Sequence, residues 1–241
     1  MRVNRIARMI LFNWWRVPGA FTKLWHFAGH TDQYPTKEKY DHIQYMMKRA
    51  ILGGNVNVEV FGEDHLPKKP GFLLYGNHQG LFDVVAVLAT CPEPVAAVLK
   101  KEMYTVPLIR QMAQATGSLV MDRDSMRQSV EVMRQVAVEV REGRNFLIFP
   151  EGTRSRDRNQ MREFAAGSFQ PALISQCPIV PVLFYNSWKV LDQPGSWPVD
   201  VEVHYLETIP YSEYRHLTSH QVAALVRGRL EEALSRVESG S

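Results

Sequence analysis

Short, uninterrupted apolar segments alternate along most of this chain with longer segments whose apolar residues recur every three or four positions. Phe72–Tyr75 and Phe146–Phe149 are examples of the first kind, and residues 125–143 are an example of the second. Continuous apolar runs are typical of strands buried on both faces, and helical spacing is typical of amphipathic helices that cover such strands. The alternation predicts an α/β fold with a mainly parallel or mixed sheet covered by helices on both faces.

The positions of the predicted elements follow from the same pattern. We expect strands at residues 56–60, 72–75, 95–99, 118–121, 146–149, 179–184 and 199–205. We expect helices at residues 37–53, 81–90, 102–115, 126–142, 169–175 and 219–237. The helix at 102–115 contains Pro107.

The N-terminal segment differs in charge from the rest of the chain. Residues 1–31 contain five basic residues and no acidic one, whereas the remainder contains 23 basic and 25 acidic residues. A basic side opposite an indole-bearing apolar side is typical of a helix that lies in a membrane interface, and packing on the protein's own domain is the alternative. We predict a membrane-associating segment, 1–35, and a catalytic domain, 36–241. On a helix over residues 2–16 the two sides are Arg2, Arg5, Arg8 and Arg16, and Ile6, Ile10, Leu11, Trp14 and Trp15.

The sequence argues against a disulfide-bonded or metal-binding protein, a membrane-spanning protein and a nucleic-acid-binding protein. Cys91 and Cys177 have no partners at metal-ligand spacing, so we expect no metal, no disulfide and a reducing compartment. Met9–Ala28 is the best candidate for a membrane span, but polar residues and a proline interrupt it. The basic residues match no nucleic-acid-binding motif, so no nucleic acid partner is expected.

The segment Asn77–Asp83 directly follows a predicted strand, where ligands bind in α/β folds. On one ideal helix His78 and Asp83 would lie about 140° apart and could not meet. With His78 in the preceding turn and Asp83 in the first helical turn, the carboxylate can reach the imidazole. Such a carboxylate fixes the imidazole tautomer and makes His78 a candidate general base, with a structural turn histidine as the alternative.

Phosphate-binding residue types follow a second predicted strand. In this loop Gly152 permits close approach of a ligand, Thr153 offers a hydroxyl, and Arg154 offers a guanidinium suited to phosphate. A solvated basic loop is the alternative interpretation. Arg123 and the pair Lys100 and Lys101 end two further strands, where each is a weaker candidate.

Together these segments resemble the glycerolipid acyltransferase family, in particular its 1-acylglycerol-3-phosphate (lysophosphatidate) acyltransferases. The resemblance covers about residues 55–190. The four blocks that carry it, in chain order, are Asn77–Asp83, Gly117–Arg123, Phe149–Ser155 and Ile179–Val182.

The resemblance implies an acyltransferase in which His78, held by Asp83, removes the proton from the 2-hydroxyl of lysophosphatidate as this attacks an acyl thioester. The donor would be acyl-CoA or acyl carrier protein, with no other cofactor. Backbone amides near residues 77–80 or in the Gly152 loop would stabilise the oxyanion. The product, phosphatidate, would place the chain in phospholipid biosynthesis at an anionic membrane surface, on the cytoplasmic face, as a peripheral or monotopic protein.

The resemblance also implies substrate-binding roles. Arg123 and Arg154 would bind the phosphate, with Lys100 or Lys101 as a weaker third ligand. Glu151 would accept a hydrogen bond from a substrate hydroxyl or hold one of these cations. Two alternatives stay open: transfer to another acceptor, such as glycerol 3-phosphate or another lysolipid, and a non-catalytic lipid-binding module on the membrane surface.

Overall fold

The computed structural model describes residues 4–240, which form seven strands and ten α-helices. The strands are β1 (Val56–Phe61), β2 (Leu73–Gly76), β3 (Val95–Lys100), β4 (Leu119–Met121), β5 (Asn145–Ile148), β6 (Ile179–Tyr185) and β7 (Val199–Tyr205). The helices are α1 (Arg5–Phe12), α2 (Val17–Gly29), α3 (Thr36–Gly53), α4 (Phe82–Thr90), α5 (Ile109–Thr116), α6 (Met126–Arg141), α7 (Gln170–Ser175), α8 (Trp188–Leu191), α9 (Tyr211–Tyr214) and α10 (Ser219–Ser239).

All seven strands join one mixed sheet in the order β1-β7-β6-β2-β5-β3-β4. The pairing of β6 with β7 is antiparallel, and the other neighbouring strands pair in parallel. The connection between β6 and β7 contains only the single-turn α8, and antiparallel neighbours need no crossover helix. Strand β2 occupies the centre of the sheet, so the loop that follows it lies among the ends of several parallel strands.

Two apolar cores, one on each face of the sheet, confirm the predicted α/β class. In β2 the side chains alternate between them: Leu74 packs with α2, α3 and α4, whereas Leu73 and Tyr75 pack with α6, α7 and α10. This alternation follows from the period of two in a strand. Because both faces are covered, β2 is apolar at consecutive positions, as its sequence predicts.

The predicted strands are all present within one or two residues, but the predicted helix at 102–115 is wrong. A short 3-10 turn, Lys101–Thr105, comes first, and α5 begins only at Ile109. Pro107 lies between them, and proline lacks the N–H that a helix interior needs and disfavours helical backbone in the preceding residue. The periodic apolar pattern continues through this interruption, which is why it suggested one helix.

The helix expected over residues 2–16 is shorter, since α1 ends at Phe12 and the next helix, α2, begins only at Val17. Asn13 ends α1, and its side-chain amide donates to the carbonyl oxygens of Met9 and Arg49. The expected basic side is divided: Arg5 is buried and donates to the carbonyl of Gly54 at 2.7 Å, whereas Arg16 is exposed. Arg2 lies outside the described residues. The apolar side is exposed instead, at Ile6, Ile10, Leu11, Trp14 and Trp15.

Both N-terminal helices pack on the rest of the chain. Helix α1 contacts α3, and α2 contacts α3 and α5. Leu24 and Phe27 of α2 are buried in one of the two cores. A boundary at residue 35 stays a prediction, because the segment before it contributes to that core. Across residues 4–240 the structure has no helix long and apolar enough to span a bilayer.

Candidate active site

The turn between β2 and α4 places His78 at the end of the central strand. Its Nδ1 lies 2.7 Å from Oδ2 of Asp83, which stands in the first turn of α4, so the predicted contact is confirmed. The imidazole also stacks on the ring of Phe149, with 4.1 Å between ring centroids. A carboxylate on one side and an aromatic face on the other fix the orientation of the imidazole.

Asp83 is fully buried, and its carboxylate is the acceptor in each of its described hydrogen bonds. Oδ2 accepts the backbone N–H groups of Gln79 at 2.7 Å and Gly80 at 2.9 Å, and Oδ1 accepts the hydroxyl of Ser187. Because the carboxylate acts as acceptor throughout, Nδ1 of His78 carries a proton. In the neutral imidazole Nε2 is then unprotonated and able to accept a proton.

His78 is accessible as a base. Its side chain is 14% exposed, and Nε2 makes no hydrogen bond to any residue in the described range 4–240. The unprotonated nitrogen is therefore open to a hydroxyl group of a substrate. This arrangement can carry out general base catalysis.

Glu151 joins the His78 turn to the loop after β5. Its Oε1 accepts the backbone N–H of His78 at 2.7 Å, and its Oε2 accepts the backbone N–H of Arg162 at 3.0 Å. Burial raises the pKa of Glu151, and the two hydrogen bonds oppose that change. Both carboxylate oxygens therefore bind backbone N–H groups and connect the two loops. The sequence did not predict this role. Contact with a substrate hydroxyl stays a prediction.

A buried polar network around the turn was also missed. Ser187 donates its backbone N–H to Oε1 of Gln79 at 3.0 Å, and the Gln79 amide donates to Asn159 at 3.0 Å. Asn77 pairs with both backbone groups of Phe184 on β6, at 2.8 and 3.0 Å. Asn77 and Gln79 flank His78 in the sequence and so offered a signal. Ser187 offered none, because it is an isolated serine 104 positions from Asp83.

The predicted phosphate ligand Arg154 lies beside the His78 turn. The backbone N–H of the next residue, Ser155, donates to the carbonyl of His78 at 2.7 Å. The Arg154 guanidinium pairs with Asp192 at 2.5 Å on the surface, where both side chains are about 40% exposed. A Cβ added to Gly80 would lie 2.5 Å from the other oxygen of Asp192, so this carboxylate stands at the mouth of the site. The ion pair was not expected from the sequence.

Gly152 and Thr153 precede Arg154 in the same loop. Gly152 has a φ of 69°, in the left-handed region that favours glycine, and a Cβ there would meet open space. Thr153 is exposed. Both residues are therefore accessible to a ligand, and their binding roles stay predictions.

The remaining predicted ligands lie further along the sheet. Arg123 follows β4, which is three strands from β2, roughly 14 Å at the usual spacing of strands. Partial desolvation lowers the pKa of Arg123 and nearby Glu102 opposes this, although the residue as a whole is exposed. Lys101 pairs with Asp122 at 2.7 Å, and Lys100 pairs with Glu102 at 3.3 Å. The lysines already have carboxylate partners, and their role toward phosphate stays a prediction.

Metal-ligating side chains do not cluster in the described part of the chain. No group of three or more histidine, cysteine or acidic side chains among residues 4–240 is arranged to hold a metal ion. Cys91 and Cys177 are buried as free thiols, and burial raises their pKa values to about 12 and about 11.

The chain that carries His78 after its central strand and Arg154 in the loop after the neighbouring strand matches a known family. The acyltransferase family model matches residues 57–185, which include His78, Asp83 and Arg154. The chain belongs to this acyltransferase family, and the protein is an acyltransferase.

Curated relatives from bacteria and eukaryotes carry a more specific name. The chain is 26% identical over 206 residues to a 1-acyl-sn-glycerol-3-phosphate acyltransferase of Borreliella burgdorferi, which covers 81% of each chain. It is 31% identical over 198 residues to human 1-acyl-sn-glycerol-3-phosphate acyltransferase beta, which covers 79% of this chain and 68% of the human one.

A solved structure shares the whole fold. The crystal structure of a 1-acyl-sn-glycerophosphate acyltransferase from Thermotoga maritima superimposes with a TM-score of 0.79. The alignment covers 97% of this chain and 96% of that chain at 19% sequence identity. At this identity the likeness establishes the fold alone.

Proposed function

We propose that this acyltransferase transfers a fatty acyl group from a thioester to the 2-hydroxyl of 1-acylglycerol 3-phosphate and so forms phosphatidate. The observation that carries the proposal is the His78–Asp83 pair, because it leaves an unprotonated Nε2 open beside a loop that bears Arg154. The names of the relatives support the choice of acceptor.

The proposed reaction needs one base. Nε2 of His78 takes the proton of the 2-hydroxyl while the hydroxyl oxygen attacks the thioester carbonyl carbon. The tetrahedral intermediate collapses, the C–S bond breaks, and the imidazolium returns the proton to the departing thiolate. Asp83 stabilises the imidazolium between these steps. The thioester, acyl-CoA or acyl carrier protein, is the co-substrate, and the scheme uses no cofactor.

The oxyanion needs hydrogen-bond donors that are not already engaged. The backbone N–H groups of residues 78–80 all donate to the carboxylates of Glu151 and Asp83. Within the described residues, the N–H groups of Thr153 and Arg154 have no acceptor. Preorganised amides of this kind stabilise developing negative charge. This favours the Gly152 loop over the His78 turn as the oxyanion site.

Arg154 is the proposed phosphate ligand, because a guanidinium matches phosphate in a two-point geometry. Its surface pair with Asp192 is worth about 0–1 kcal/mol, which is less than a phosphate offers, so the substrate can replace the carboxylate. Arg123 would contact a more distant part of an elongated substrate or donor.

The site of action is proposed to be the cytoplasmic face of a membrane. Exposed apolar side chains on α1 and in the turn after it, including Trp14 and Trp15, support this proposal. Indole rings favour the interface between headgroups and acyl chains. An acceptor with one acyl chain resides at the same surface.

The test is an acyl transfer assay on the purified chain, with product mass as the readout. Lysophosphatidate is offered with acyl-CoA and, separately, with acyl carrier protein, and glycerol 3-phosphate and lysophosphatidylcholine are offered at the same thioester concentration. We expect phosphatidate from lysophosphatidate with at least one donor, and little product from the other acceptors. If glycerol 3-phosphate or the neutral lysolipid is acylated in preference, lysophosphatidate is not the acceptor. Liposome binding without transfer or thioester hydrolysis would favour a non-catalytic lipid-binding module.

A further inference from the structure

Three buried side-chain nitrogens in residues 4–240 have no hydrogen-bond partner, and all three are donors. They are Nε of Arg5, Nε of Arg8 and Nε1 of Trp188. Arg5 and Arg8 lie one turn apart on α1, and Trp188 begins α8, which contacts α1. Buried donors are normally satisfied, so the unpartnered donors at this one junction indicate a missing acceptor.

Neither arginine forms an ion pair with an acidic side chain in the described range. Arg5 is only 4% exposed, and its single described bond is the one to the carbonyl of Gly54. Burial lowers the pKa of Arg5, and the positive charge of Arg8 lowers it further. Burying a cation beside a like charge, with no acid nearby, is unfavourable. The arrangement is therefore suited to an anion.

The chemistry of the donors indicates the class of anion. Guanidinium groups bind phosphate oxygens with paired, charge-assisted hydrogen bonds. Beside the arginines, another side of α1 forms an apolar groove of about 200 Å³ together with α2 and α3. Ile6, Met9 and Phe21 line this groove. A phosphate that carries an apolar chain satisfies both features.

We propose that Arg5 and Arg8, with Trp188 on the adjoining α8, form a binding site for the phosphate group of an anionic phospholipid. The two arginines belong to α1 and not to the His78 turn or the Arg154 loop, whereas Trp188 adjoins the turn, since a Cβ added to Gly80 would lie 3.6 Å from its Cα. The inference rests on the proposed function at a membrane surface, and it assigns the inward side of α1 to a particular lipid headgroup.

Arg8 supplies a clean test, because its side chain makes no hydrogen bond or ion pair with any described residue. Replacing it by glutamine removes a charge that repels Arg5 and leaves the described contacts intact. We expect Arg8→Gln to unfold at the same or a higher temperature than the wild type when no lipid is present. It should also bind the lipid about tenfold more weakly, the effect of one lost charge-assisted bond.

The matched control is Lys23→Gln, which removes an exposed positive charge from the N-terminal segment at a residue that does not line the groove. The probe is dihexanoyl phosphatidylglycerol below its micellar concentration, because it is neither the proposed substrate nor the proposed product. Inorganic phosphate and dihexanoyl phosphatidylcholine are added in parallel, and the readout is the shift in unfolding temperature of the full chain. The expected result is a large shift with phosphatidylglycerol in the wild type and in Lys23→Gln, and a reduced shift in Arg8→Gln.

Three outcomes would overturn the proposal. Equal responses of Arg8→Gln and Lys23→Gln would show that the arginine pair binds no ligand. An equal shift with inorganic phosphate would assign the site to a free anion, and an equal shift with phosphatidylcholine would show that net charge plays no part. Unfolding temperature does not depend on turnover, so failure of the acyl transfer assay and failure of this site are separate results.

Discussion

Ser187 donates its hydroxyl hydrogen to Oδ1 of Asp83, on the side of the carboxylate away from His78. It is the sole described donor to that oxygen, whereas Oδ2 accepts three hydrogen bonds. Asp83 has no contact with solvent that could replace the serine. The hydroxyl therefore positions Asp83 and moderates the pull of its negative charge on the imidazole.

Replacing Ser187 by alanine should shift the pH dependence of the reaction. Without its donor, Asp83 attracts the Nδ1 proton of His78 more strongly, which favours the imidazolium. Since the base must be neutral, we expect the acid limb of the kcat/KM profile to move to higher pH, with a loss in kcat of about 10-fold to 100-fold.

Thr90→Val is the control for that experiment. It removes a hydroxyl from the other end of α4, where Thr90 bonds to Ala86 and Tyr205. We expect lower stability in this variant with an unchanged pH profile. If Ser187→Ala also keeps the wild-type profile, Ser187 has only a structural role.

His78→Ala should abolish acyl transfer while the chain stays folded. The side chain contributes stacking on Phe149 and one hydrogen bond, and its main-chain bonds to Glu151 and Ser155 do not depend on the imidazole. We expect turnover to fall by about 100-fold or more. Turnover is measured with lysophosphatidate and a thioester, and unfolding temperature reports the fold. Near wild-type turnover would exclude His78 as the base.

Arg154 and Asp192 should have opposite effects on binding of the acceptor. Arg154→Ala removes the proposed phosphate ligand, so the KM for lysophosphatidate should rise far more than the KM for the donor. Asp192→Asn removes a carboxylate that competes with phosphate, so the same KM should fall by about twofold to fivefold, in keeping with a surface ion pair of about 1 kcal/mol or less. A rise in KM for Asp192→Asn would show instead that Asp192 orients Arg154.

Glu151 should make stability depend on pH in a defined direction. Burial raises its pKa above the ordinary value near 4.5, so the folded state binds a proton more tightly than the unfolded state. The tighter proton binding stabilises the folded state fully below pH 4.5, and this stabilisation is lost as the pH rises through the raised pKa of Glu151. Glu151→Gln cannot titrate, so urea unfolding between pH 4 and pH 7 should show the wild type losing stability relative to the variant. A constant difference across that range would contradict the raised pKa.

The exposed indoles of the N-terminal segment should govern binding to vesicles. Trp14 and Trp15 are 66% and 56% exposed, so replacing both by alanine costs the folded chain little. If they insert into the interface, vesicle binding should fall about tenfold or more in a sedimentation assay. Met126→Ala is the control, because Met126 is 79% exposed on α6, which packs on the other face of the sheet. Equal effects of the two changes would show that the contact lies elsewhere.

The sequence predicted the parts of this protein that depend on local pattern. Buried strands between two helical layers must be apolar at consecutive positions, so β2, β5 and β6 were visible as short runs. The contact of His78 with Asp83 was also predictable, since five positions of chain confine it to one turn and the start of one helix. Pro107 shows the limit of such patterns, because periodicity continued where the backbone could not remain helical.

Tertiary structure alone decided which distant groups meet. Ser187, Glu151 and Asp192 reach the site because β5 and β6 flank β2 in the sheet, and strand order is set by packing that no single segment encodes. The direction in which the N-terminal arginines face was decided in the same way, since a helical pattern defines two sides but not which side meets the domain. Burial of Arg5 against α3 turned the apolar side outward, because that packing is a property of the whole fold.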